Sequence, residues 1–292
     1  MTVRSAEARA ERARSLGPTD LVLSHMTLPR TGFAERVEAA AAAGFAGIGL
    51  HVAGWKRLRR EGATVADLGR VLDGCDQVLV EVEFLQGWDL AEGAGRERAR
   101  DAEDLAFELI DGLGARHLQL GGPHAGDVDR AAEAFARICD RAAGRGVLVA
   151  LEYLPEMTNI ETVGQALAVV EGAGRPNGGV CVDSWHHERG ADTLEDLAAV
   201  PGRRIASVQL DDGPAQRGHP DYTTDTSTNR LAPGEGDFDL VGLVRTLRAA
   251  GVAAPLGLEV ISNRYDGLEA AAVVRRVADG MRAVLARAAL VP

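Results

Sequence analysis

Four apolar runs in the second half of the chain each close on one polar side chain: Val147-Leu-Val-Ala-Leu-Glu152, Gly179-Val-Cys-Val-Asp183, Ile205-Ala-Ser-Val-Gln209 and Pro255-Leu-Gly-Leu-Glu259. Short runs rich in Val, Leu and Ile read as strands buried on both faces, as parallel strands are. A carboxylate or amide that ends such a strand lies at the carboxyl edge of the sheet, where barrel enzymes keep their chemistry. Four of them in successive strands converge on one point. Three carboxylates and an amide oxygen there repel one another unless a cation joins them. Glu152, Asp183, Gln209 and Glu259 are therefore a candidate divalent-metal site. All four offer oxygen, which suits a hard ion: Mn²⁺ or Mg²⁺ first, with Co²⁺ also accepted. The bland alternative makes each a helix cap or a surface ion pair. It accounts for any one of them, and poorly for four at the same place in four strands.

The elements that must position these residues alternate along the whole chain. Strands are expected at Leu21 to His25, Gly47 to His51, Gln77 to Phe84 and Arg116 to Leu120, and then at the four runs above. Helical spacing or capping signals mark Thr31 to Ala43, Thr64 to Gly74, Arg96 to Gly114, Asp127 to Gly144, Asn159 to Gly172, Thr193 to Val200, Asp239 to Ala250 and Gly267 to Ala288. Eight βα units without a change of order predict parallel strands joined by right-handed crossovers and closed into a single (β/α)8 barrel. The barrel is expected over residues 19–292, with residues 1–18 as an arm or extra helix. No G-x-G-x-x-G or G-x-x-x-x-G-K-[ST] follows a strand, so dinucleotide and P-loop readings fail.

Composition is that of an ordinary globular protein: 292 residues, 46% hydrophobic and 26% charged, with aromatics scarce at 4%. A net charge of −11 argues against a nucleic-acid partner. Cys75, Cys139 and Cys181 stand far apart, which suggests free thiols in a reducing compartment. No stretch approaches the ~20 apolar residues of a membrane span. Met1 to Arg14 is charged and Ala-rich with no hydrophobic segment behind it, so no signal peptide is expected and the cytoplasm is the default location.

Asp183-Ser-Trp-His186, Gln209-Leu-Asp-Asp and Arg230-Leu-Ala-Pro-Gly-Glu-Gly-Asp-Phe-Asp239 resemble the xylose isomerase-like barrels. That superfamily holds sugar isomerases, ketose 3-epimerases, and inosose and 3-dehydroshikimate dehydratases. C-glycoside deglycosidase catalytic subunits also look similar. The resemblance runs from about Leu21 onward. It implies metal ligands at the ends of strands five to eight, which map onto Glu152, Asp183, Gln209 and Glu259. Many members carry His at the seventh strand; Gln209 matches the dehydroshikimate dehydratase branch. Leu151-Glu-Tyr-Leu-Pro-Glu-Met departs from that branch around the fifth-strand ligand. The His three residues after the aspartate commonly contacts a substrate oxygen, which maps onto His186. Homo-oligomers, and for some relatives a partner subunit, are further expectations of the resemblance.

The expected activity is that of a metal-dependent isomerase or epimerase. Its substrate is a small sugar, polyol-derived or cyclic ketone, deprotonated to a metal-stabilised enediolate. Glu152 and Glu259 are the candidate acid/base pair, with His186 beside them. If a β-hydroxyl leaves instead, the same site is a lyase. His25 and His51, read as the ends of strands one and two, Glu83, Trp88, Trp185, Arg217 and Arg230 are candidate substrate contacts. Each has a structural alternative: core packing for the tryptophans, a solvated loop charge for the arginines, an internal ion pair for Glu83. The loop Asp211 to Gly236 is too long for a plain connection. A barrel nuclease needs a His-rich zinc site, which these positions do not offer. A sugar-binding module without turnover is the remaining class.

Overall fold

Eight parallel strands close in chain order into one barrel in the computed structural model, which describes residues 4–122 and 127–290. They are β1 (Leu21–Leu23), β2 (Gly47–His51), β3 (Leu79–Leu85), β4 (His117–Leu120), β5 (Leu148–Glu152), β6 (Gly178–Asp183), β7 (Ile205–Leu210) and β8 (Leu256–Leu258). The helices, in order, are α1 (Ala6–Ser15), α2 (Phe33–Ala42), α3 (Val52–Arg60), α4 (Val65–Gly74), α5 (Ala94–Leu113) and α6 (Val128–Ala143). They continue with α7 (Val163–Ala173), α8 (Ser184–Arg189), α9 (Leu194–Ala198), α10 (Tyr222–Thr226), α11 (Leu240–Ala249) and α12 (Ala270–Ala289).

Several boundaries differ from the sequence reading for identifiable reasons. The first strand stops at Leu23, because Ser24 caps a single 3₁₀ turn, His25–Thr27, through its hydroxyl. Helix α2 starts after Gly32 rather than Thr31, and α7 starts at Val163, where Thr162 and Gln165 close a capping box. Besides α10, which lies inside the long segment expected as a loop after β7, two helices follow a strand directly where loops were expected. α3 follows β2 directly because the His51 ring accepts from the Ala53 N–H at 3.0 Å. α8 follows β6 directly because the Asp183 carboxylate accepts from the Trp185 N–H at 2.7 Å. In both places the last residue of a strand doubles as a helix cap.

Side chains alternate along the strands. Leu21, Leu23, Val149, Leu151, Val180 and Val182 join the large core between sheet and helices, while Val22, Ala150 and Cys181 fall outside it, in small separate clusters. At the foot, Ala13 of α1 and Leu16 just after it pack on Val22, Val78 and Val80. Arg9 of α1 is clamped by Asp73 at 2.7 Å, both nearly fully buried. Higher up, Leu148, Ala150, Cys181 and Ala206 form a layer of mostly small side chains. Above it the lining turns polar. Cys75, Cys139 and Cys181 are all free thiols. Among the described residues, no helix is long and apolar enough to cross a membrane.

Candidate metal centre and active site

Strand register sets Asp183 beside Gln209, and Glu152 beside Cys181, at the carboxyl ends of β5, β6 and β7. Glu259 follows β8 by one residue. The four strand-end residues are tied into one network. Gln209 Nε2 donates to Glu259 Oε1 at 3.3 Å. Gln119 Nε2 reaches Gln209 Oε1 at 2.9 Å and Glu152 Oε2 at 3.2 Å. Arg230 Nη1 lies 2.8 Å from Asp183 Oδ2 and 3.2 Å from Glu259 Oε2. One ligand atom each from Glu152, Asp183 and His186 falls within 4.8 Å of the others. The sequence assigned His186 to the substrate; the fold also brings its imidazole within ligand distance of two carboxylates. Tyr222 of α10 holds the other ring nitrogen, with Nδ1 and the phenol oxygen 2.6 Å apart.

Charge explains why this network is unusual. Glu81, Glu83, Glu152, Asp183, Asp211 and Glu259 are all buried at this end of the barrel. Among the described residues the guanidinium of Arg230, itself buried, bonds Asp183, Asp211 and Glu259. Burial, then the charges of Glu259 and Glu152, pushes the Glu81 carboxyl up to about 8. Burial also raises Glu83, with Glu81 adding to it. Glu259 and Asp211 are raised by burial despite the nearby Arg230. Asp183 is the exception. Burial works against its charge, but Arg230 and His186 together hold it below the usual range. Among the described residues, the buried Oε1 atoms of Glu81 and Gln119 have no hydrogen-bond partner. Several buried carboxylates, an imidazole and uncompensated oxygens fit a hard divalent cation. Glycine makes room for this crowd: a Cβ on Gly49 of β2 would stand 2.7 Å from Glu81 Oε1.

A cavity of about 340 Å³ opens above the network. Glu152, Glu259, His186, Glu83, His51 and Arg230 line it. Glu83 is fixed by the Ser24 hydroxyl and the His25 N–H, both at 3.2 Å. Four other expected substrate contacts do not line this cavity. His25 is buried behind it, its ring pressed against Gly54. Trp88 is core: it meets Phe135 edge-on at 6.3 Å, and its indole N–H donates to the Gly121 carbonyl. Trp185 packs edge-on against Phe238 under the guanidiniums of Arg189 and Arg230. Arg217 pairs with Glu156 and lies over the Tyr222 ring. A residue that follows a strand can turn to the mouth or to the helix layer, and sequence position alone does not say which.

Gln119, Asp211 and Tyr222 are contributors that the sequence reading missed. Gln119 lies inside the run His117-Leu-Gln-Leu120, where its alternation with two leucines places it in the interior. Asp211 and Tyr222 reach the site through the long segment after β7, and no local spacing announces that contact.

Comparison with known proteins agrees with this architecture. The chain is similar to a 3-dehydroshikimate dehydratase of Pseudomonas aeruginosa, at 31% identity over 258 residues. The match takes in 86% of this chain but 39% of that protein, so the chain spans well under half of its length. An inosose isomerase of Bacillus velezensis is 28% identical over 160 residues, covering 53% of this chain and 55% of its own. Among solved structures, the IOLI protein with a zinc atom superposes with a TM-score of 0.83 over 92% of this chain and 99% of that one, at 18% identity, a likeness of fold. The family model described as xylose isomerase-like TIM barrel matches residues 37–284, a span that takes in every strand from β2 to β8. The chain belongs to the xylose isomerase-like TIM barrel family.

Proposed function

We propose that the protein is a divalent-metal-dependent isomerase or epimerase acting on a sugar or polyol-derived ketone. The observation that carries this reading is the convergence of Glu152, Asp183 and His186, with Glu259 tied to Asp183 through Arg230 and hydrogen-bonded by Gln209, in a buried site whose negative charge exceeds its positive charge. A bound divalent ion supplies Lewis acidity toward a ketone oxygen and its neighbouring hydroxyl. The rest falls to the chain. Glu152 and Glu259 come from strands three apart in the ring of eight and so approach the cavity from different sides. One carboxylate takes the proton from the carbon beside the carbonyl, and the other returns one. Arg230 donates toward developing negative charge on substrate oxygen. His186, held by Tyr222, presents Nε2 beside Glu152 at 3.3 Å and moves a proton between hydroxyl and carbonyl oxygens.

One observation favours a second reading. The dehydratase relative matches over 86% of this chain. If the substrate carries a hydroxyl beta to the acidified carbon, the same abstraction expels water, with His186 as the acid. The deciding experiment incubates metal-free protein, then protein reloaded with Mn²⁺, with a ketose, an inosose and dehydroshikimate in D₂O. Metal-dependent deuterium uptake without loss of water supports isomerisation. A conjugated product formed with loss of water supports the lyase. No exchange with any carbonyl substrate in the presence of metal refutes both.

A further inference from the structure

We propose that the active-site cavity continues into a second lobe that binds an apolar ring ending in an anion. The substrate is then a ketone carrying such a substituent, rather than a bare sugar or cyclic polyol. This rests on the site reading given above.

His51, Phe84 and Gln86 line both the cavity over the carboxylates, about 340 Å³, and a neighbouring cavity of about 390 Å³ between α3 and α5. The two spaces thus adjoin at those three side chains. Their chemistry differs sharply. The first is floored by Glu83, Glu152 and Glu259. The second has no carboxylate in its lining; its walls are Val52, Leu90, Ala99, Ala102 and Leu105. Hydroxyl groups gain nothing from such walls, because a polyol buried there leaves its hydrogen bonds unmade. An aromatic or alicyclic ring gains the transfer of its whole surface from water. The space depends on small side chains: a Cβ on Gly95 would stand 2.9 Å from Leu90 Cδ1. A cavity of about 150 Å³ accepts benzene, so this lobe has room for two fused rings.

The charged groups in the lobe's lining are Lys56 and Arg98. Both are exposed and neither forms an ion pair with a described residue, although Lys56 also lines a neighbouring space with Asp101, Asp104 and Glu108. Two unpaired cations at the rim of an apolar space suit an anionic end on the occupant.

The test is calorimetric titration of the full-length, metal-loaded protein with 2-naphthoate and, separately, with its neutral analogue 2-naphthol. Saturation-transfer NMR reports contact with the ring protons. We expect naphthoate to bind more tightly than naphthol. Ala102→Phe, which fills the lobe, weakens both by about tenfold or more, as loss of a buried anchor does. The exposed double change Lys56→Ala with Arg98→Ala weakens naphthoate alone. Thermal unfolding checks that each variant is folded, and the double variant, altered only at the surface, keeps the test valid if Ala102→Phe does not fold. Absence of naphthoate binding at millimolar concentration overturns the lobe, as does binding indifferent to the double change. Deuterium uptake by bare ketoses is read separately. Uptake without naphthoate binding removes the lobe and leaves the activity, and naphthoate binding without uptake does the reverse.

Discussion

Replacing Arg230 with Met tests the charge balance of the site directly. Arg230 is 2% exposed, and its Nη1 contacts Asp211 at 2.6 Å, Asp183 at 2.8 Å and Glu259 at 3.2 Å. At an effective dielectric of about 20, each pair attracts by roughly 5–6 kcal/mol before desolvation is counted. Much of this offsets the cost of burying the charges. What survives when one partner of a buried pair is removed is about 3–5 kcal/mol of destabilisation, because the orphaned charge stays buried. For a chain of this size that corresponds to a fall in Tm of roughly 6–15 °C. The fall should depend on pH in a definite sense. Asp211 and Glu259 are raised in the folded protein, and without the guanidinium they rise further. A carboxylate with a raised folded pKa binds more protons folded than unfolded, so its contribution turns unfavourable as pH climbs past the unfolded value. The variant should therefore lose more stability at pH 8 than at pH 5.5. The assay is differential scanning calorimetry in EDTA at both pH values, repeated with Mn²⁺. Metal at a hundredfold excess over its Kd should restore about 2.7 kcal/mol. A fall in Tm below about 2 °C at pH 8, or one that ignores pH, refutes the picture of a cation-starved cluster.

Three further outcomes are expected. Glu152→Gln and Glu259→Gln should each lower Mn²⁺ affinity by about tenfold to a hundredfold while leaving the far-UV circular dichroism unchanged; isothermal titration measures it, and unaltered affinity in both variants would remove them from the ligand set. Burial lowers His25 from 6.5 to about 2 and His51 from 6.5 to about 4. Their folded values lie below the unfolded one, so the unfolded chain takes up protons first and stability drops as pH falls below 6.5. For His25 the loss at pH 5 is about 2 kcal/mol, read from urea midpoints at pH 7.5 and pH 5; flat midpoints would contradict the burial. Asp73→Ala strips the partner from buried Arg9 and should cost about 3 kcal/mol, with amide exchange rising first in α1; protection in α1 equal to the wild type would show that the pair does not anchor it.

The sequence carried the barrel because its signals are local. A short apolar run, a capping residue and a return helix recur often enough that few other folds satisfy all of them. The metal-site residues were legible for a related reason. Glu152 and Asp183 are the literal last residues of β5 and β6, and an acidic residue closing an apolar run stands out. Contacts made at long range were not legible. Gln119 is an ordinary amide until Glu152 and Gln209 are seen on either side of it. Trp88 and Trp185 look like a sugar-stacking wall by position, yet both are drawn into the core because burying an indole is worth more than leaving it at a wet mouth. His25 shifted because a serine cap ended β1 two residues early.

The segment after β7 is fastened at its centre. Helix α10 places Tyr222 on the His186 ring, and the Thr226 carbonyl and hydroxyl accept from Arg230. An excursion of this length is ordinarily free to breathe without touching the machinery beneath it. Here it cannot lift without releasing both the imidazole and the guanidinium, so letting a molecule in past α10 and disarming the site are one and the same movement.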